Sequence, residues 1–78
     1  MYLESYLNDG AQRAAVGRRP LTPATYLSQQ LHGSARTHEY LYRRALMRAL
    51  DEEVRQGRAV AVRSARGAVA FASTAAAA

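Results

Sequence analysis

"LTPATYLSQQLHGSARTHEYLYRRALMRAL", residues 21–50, holds the punctuation that decides the fold. Thr22 before Pro23 marks a helix start. A threonine hydroxyl can accept from a first-turn N–H, and proline at the first helical position gives up a donor that has no partner there. Gly33 suits the stop. Between them Tyr26, Leu27, Gln30 and Leu31 make i, i+4 pairs, with Leu27 and Leu31 as core positions. Ser34 then offers an N-cap for a longer helix that runs without Gly or Pro to Gln56. Two helices joined by a Gly-Ser turn make a helix-turn-helix arrangement.

On a wheel of about 100° per residue, the longer helix separates into two faces. Leu41, Tyr42, Ala45, Leu46, Ala49 and Leu50 form one apolar arc. Arg36, Tyr40, Arg43, Arg44 and Arg48 lie on the other side, and four of them are successive i+4 neighbours forming a ridge. Upstream, Leu3, Tyr6, Leu7 and Ala14 fall at helical spacing, although Gly10 weakens the middle of that segment. "GRRP" then breaks the chain, leaving Arg18 and Arg19 on a loop.

After Gly57 the period changes to two. "AVAV" and "AVAF" alternate, and the alternation places Val60, Val62, Val69 and Phe71 on one face with only alanine on the other. "RSARG" between them predicts a hairpin with a three-residue loop, Gly67 at its positive-φ position and Arg63 and Arg66 near its tip. The expected fold is α+β: three helices followed by a C-terminal β-hairpin. One domain covers residues 1–73, and residues 74–78 are an Ala-rich frayed tail.

Composition narrows the function classes. The 78-residue chain carries a formal charge of +5, and all 11 of its cations are arginine. It has no cysteine, hence no disulfide frame and no thiolate metal site. No apolar run reaches the ~20 residues of a membrane span, and "MYLESYLNDG" lacks the basic start of a secretory signal. A cytoplasmic protein is the expectation. His32 and His38 flank the turn without partners spaced for a metal. Asp51, Glu52 and Glu53 are consecutive, so they splay around the helix instead of converging as a catalytic pair. No base stands ready to activate Ser34. The sequence predicts no enzyme, no metal and no small-molecule cofactor.

The charge is unevenly placed. Residues 34–48 sum to +3, residues 49–57 to −2, and the hairpin from Arg58 onward to +3. Acids at a helix C-terminus oppose the macrodipole, although Arg48–Glu52 and Asp51–Arg55 are spaced to pair. The pattern makes sense if only the N-terminal half of the helix approaches an anion.

Residues 21–72 resemble a winged helix-turn-helix DNA-binding domain. Leu21-Thr22-Pro23 opens the second helix, Gly33-Ser34 make the turn, Thr37 to Leu50 form the recognition helix, and "AVAVRSARGAVAF" is the wing. Two features depart from the family: the third helix is about two turns longer than usual, and Arg58-Ala59, not a large aliphatic, follows Gly57. The resemblance implies a DNA contact set of Ser34, Arg36, Thr37, Tyr40, Arg43, Arg44, Arg48, Arg63 and Arg66. Arg36 and Arg43 would read guanine edges, aided by Thr37 and Tyr40. Arg44 and Arg48 would meet phosphates, and Arg63 and Arg66 an adjacent minor groove or backbone. It also implies a small bacterial or phage transcriptional regulator, such as a repressor, bound to double-stranded DNA as a homodimer, with Tyr2, Leu3, Tyr6 and Leu7 either joining the subunits or closing the core. The rival expectation is a small inhibitor or adaptor whose basic helix face docks on an acidic protein surface. RNA binding is a third, weakened by the lack of an aromatic stacking platform on the strands.

Overall fold

The computed structural model describes residues 2–77. Its α+β architecture is three helices followed by a two-stranded antiparallel hairpin: α1 (Leu3–Ala15), α2 (Pro23–Gln30), α3 (Glu39–Arg55), β1 (Ala59–Arg63) and β2 (Val69–Ser73), with a final helical turn α4 (Thr74–Ala77).

Gly10 does not interrupt α1, which runs through it as one helix of 13 residues. The glycine is buried against the chain entering α2 and against β2. A Cβ there would stand 3.6 Å from Pro20 Cβ and 3.8 Å from the Phe71 carbonyl oxygen. α2 begins as the sequence implies, with Thr22 Oγ1 accepting from Thr25 N–H and Pro23 at the first position. It ends at Gln30, and Leu31 continues in an extended conformation with its side chain 2% exposed.

The turn between α2 and α3 differs from expectation. Gly33–His38 is a 3-10 helix, and α3 starts only at Glu39, so Ser34 is not its N-cap. The residue types explain this. Thr37 Oγ1 donates to the Ser34 carbonyl at 2.6 Å, and hydroxyls bonded back to the local backbone compete with regular α-helix. Six residues of tighter helix therefore take up part of the extra length, leaving α3 with 17 residues.

Leu46 and Leu50 are the buried line of α3, with Tyr42 and Met47 packed beside them. Leu41, placed in the core by the sequence reading, is 59% exposed, and Ala45 is exposed as well. The apolar arc is therefore turned towards Met47. The core is completed by Tyr6, Tyr26, Leu27, Leu31 and Phe71. Tyr2, Leu3 and Leu7 pack against it, so together with Tyr6 they close this chain's own interior. Two edge-to-face ring pairs tie the elements together: Tyr6–Tyr26, centroids 5.3 Å apart, and Tyr2–Tyr42 at 5.7 Å.

The hairpin has the expected loop. Ser64 N–H donates to the Ala68 carbonyl, and Gly67, at φ 84°, donates to the Ser64 carbonyl. Ser64 Oγ also accepts from the backbone N–H groups of Arg66 and Ala68. The faces are not as expected. A three-residue loop pairs odd positions with odd and even with even, so Ala61 stands opposite Phe71 and Val62 opposite Ala70. Val69 and Phe71 face the core. Val60 and Val62 occupy the reverse side with Ala70 and Ala72, as the alternation of side chains requires.

Two bonds fasten the hairpin's base. Thr74 N–H donates to the Arg58 carbonyl and Thr74 Oγ1 to the Gly57 carbonyl. The tail placed at residues 74–78 is thus helical over Thr74–Ala77 and anchored at its start; Ala78 lies outside the described residues.

Candidate functional site

α3 presents Arg44 and Arg48 on a face that the core leaves free. Measured around the helix from the midline of Leu46 and Leu50, at about 100° per residue, Arg48 lies about 180° away, Arg44 about 140° and Tyr40 about 100°. Arg43 lies only about 40° away on the same wheel. It is nonetheless exposed, as are Tyr40, Arg44 and Arg48. Leu41 and Ala45 are set among these cations, and Leu41, Arg44, Ala45 and Arg48 line one shallow open concavity.

Tyr40 organises the front of this face. The Arg43 guanidinium carbon stands 5.9 Å from its ring centroid and that of Arg44 5.7 Å. Both distances fall in the range where a cation is drawn to an aromatic quadrupole. One ring thus gathers two guanidinium groups that would otherwise repel.

Acid partners divide the arginines into two classes. Arg13 pairs with Asp9, Arg36 with Glu39, Arg55 with Glu52 and Arg58 with Glu53. Among the described residues Arg43, Arg44, Arg48, Arg63 and Arg66 form no ion pair, nor do Arg18 and Arg19. The Arg48–Glu52 and Asp51–Arg55 pairs read from spacing do not form, because Glu52 is engaged by Arg55 and Gln56. Arg48 is left open to solvent.

Arg58, counted with the hairpin's positive charge, is compensated. Its Nε and Nη2 donate to the two carboxylate oxygens of Glu53, each at 2.9 Å. This bidentate bond is the main reason that the Glu53 carboxyl is held below its ordinary range and the Arg58 guanidinium above its own. The fork joins the last turn of α3 to the entry of β1. Arg36 is also drawn aside, its Nη1 lying 3.5 Å from Glu39 Oε1.

The predicted site residues therefore separate into groups. Arg43, Arg44, Arg48 and Tyr40 share α3. Ser34 and Thr37 lie on the 3-10 helix with Arg36, and the Thr37 hydroxyl is used by the backbone. Arg63 and Arg66 belong to the hairpin, at the end of β1 and in the loop.

Arg19, on the loop before α2, has neighbours that its local sequence does not reveal. Arg19 lines a concavity with Pro20, Thr22, Val62, Ser64, Ala68 and Ala70, so it stands beside the distal half of the hairpin. Nothing local in "GRRP" signals this, because the neighbours come from more than 40 residues downstream.

No family model, no curated protein and no solved structure matches the chain.

Among the described residues no three His, Asp or Glu side chains gather as metal ligands would, and no helix is long and apolar enough to cross a membrane.

Proposed function

We propose that this chain binds double-stranded DNA in the manner of a winged helix-turn-helix protein, with α3 as recognition helix and the hairpin as wing. The observation that carries the reading is the row of uncompensated guanidinium groups, Arg44 and Arg48, on the solvent side of a helix whose opposite flank is sealed by Leu46 and Leu50, with the exposed and unpaired Arg43 nearer that flank. Glu39, Glu52 and Glu53 are instead engaged with Arg36, Arg55 and Arg58.

On this proposal the roles are distributed along the helix by distance from the core. Arg44 and Arg48 point furthest from the core, so Arg44, nearer the helix start, is the reader of a guanine edge. Arg43, towards the packed flank, grips a phosphate beside the groove. Arg19, Arg63 and Arg66 engage the backbone or an adjacent minor groove. A module of this size reads few base pairs, so two copies on paired half-sites, as in a transcriptional repressor, are the fitting assembly.

The test is a salt titration against a random-sequence duplex, followed by fluorescence anisotropy. Contact with about six phosphates gives a log–log slope near −5. No measurable binding at low salt overturns the proposal, and titration with an acidic protein surface then becomes the experiment of choice.

A further inference from the structure

The α3 face carries one feature that charge alone does not use. Leu41 is 59% exposed, and with Ala45 it forms the apolar floor of the concavity flanked by Arg44 and Arg48. A lone leucine on a surface is ordinary. This one sits between uncompensated cations at the third residue of α3, in the part of a recognition helix that comes closest to base edges.

The surroundings restrict what can cover it. A partner helix would need apolar anchors continuing at i, i+3, i+4 and i+7. From Leu41 the same face continues only through Ala45, then Arg48, Glu52 and Arg55. The apolar surface is a single small spot surrounded by positive charge. Its complement is a small apolar group carried on a polyanion.

Resting on the DNA-binding reading above, we propose that Leu41 is a specificity-determining residue that recognises the C5-methyl group of thymine next to a guanine recognised by Arg44. The thymine methyl is the apolar group displayed in the major groove, whereas guanine presents O6 and N7 there as acceptors. Residues at i and i+3 on a helix stand about 5–6 Å apart at Cβ, and successive bases on a strand are about 3.4 Å apart. The longer arginine can lean across that difference. Leu41 and Arg44 therefore read neighbouring steps, with Ala45 widening the apolar floor.

The test begins with selection of the tightest-binding duplex from a random 20-base-pair pool. The winner is then remade with uracil in place of every thymine, which removes only the methyl groups. The wild-type protein should bind the uracil duplex about fourfold more weakly for each contacted methyl. Leu41→Ala should bind the thymine duplex as weakly and should not distinguish the two. Circular dichroism melts confirm that this exposed-site variant folds. A winner without thymine, equal wild-type affinity for the two duplexes, or discrimination that survives in Leu41→Ala overturns the assignment of Leu41 while leaving DNA binding intact. Failure of the pool to yield any bound duplex removes both.

Discussion

The Tyr6 phenolic oxygen accepts from the Phe71 N–H at 3.0 Å, across 65 residues of sequence, while its own proton goes to the Leu21 carbonyl. A side chain of α1 thereby satisfies one backbone group of β2 and another in the approach to α2. In this small fold one hydroxyl links the hairpin to α1 and to the approach to α2, beside the packing of Phe71.

Tyr6→Phe keeps the ring but strands both backbone groups. Leaving buried polar groups unpaired costs about 1–3 kcal/mol, so the urea midpoint should drop accordingly. Retention of wild-type stability would show the bridge to be dispensable.

The same phenol sets an alkaline limit. Burial raises its pKa above the ordinary 10.0, with a smaller push from Asp9, and the Phe71 N–H works in the opposite direction. Folding favours the protonated form, so this contribution is complete below the free-tyrosine value and disappears as pH rises through the folded one. Stability should fall above about pH 10, and Tyr6→Phe should flatten that part of the profile.

Gly10→Ala should stabilise the protein. The added methyl would meet Pro20 and Phe71 at ordinary contact distance, and alanine gains up to about 1 kcal/mol over glycine within a helix. Gly10→Leu should instead destabilise, since the close approach leaves no room for a long side chain. Thermal melts of the two variants should move in opposite directions.

Two leucines on α3 should behave as opposites. Leu50→Ala opens a cavity at a fully buried position and should cost about 2–5 kcal/mol, enough to unfold much of so small a domain. Leu41→Ala should leave the melting temperature nearly unchanged. Similar losses for both would return Leu41 to the core.

For the proposed recognition, Arg44→Ala should flatten sequence preference among duplexes, whereas Arg43→Ala and Arg66→Ala should weaken all duplexes alike and reduce the salt slope by about 1 each. Anisotropy titrations over a panel of duplexes distinguish these outcomes. Equal effects of Arg43→Ala and Arg44→Ala on preference would refute the division of roles.

Much of this architecture is legible in local chemistry. Thr22-Pro23 opens a helix, Gly67 takes positive φ in a tight loop, and Leu27 and Leu31 are buried, because each depends on residues within a turn of itself. Leu41 misled because hydrophobicity shows what could be buried, while the direction from which α1 and α2 approach determines what is. The strand faces were legible in full: alternation within each strand, combined with the three-residue loop, already sets Val60 opposite Ala72 and Val62 opposite Ala70. Alternation alone does not give the faces. Ser34 has the residue type of a cap, yet the 3-10 segment around it has no side-chain cap. The cation ridge was visible as a set of exposed residues. Its division into compensated and uncompensated members was not, because Glu53 could as readily have served a neighbour on its own helix as Arg58 beyond it.

The two Thr74 bonds have a practical corollary for measurement. They fix the departure point of the chain to the junction of α3 with β1. A fluorophore attached on the C-terminal side of Thr74 therefore leaves from the root of the hairpin. The strand alone puts it about 17 Å from the arginines at the tip. Such a reporter can follow the protein's partners without crowding the groups proposed to grip them.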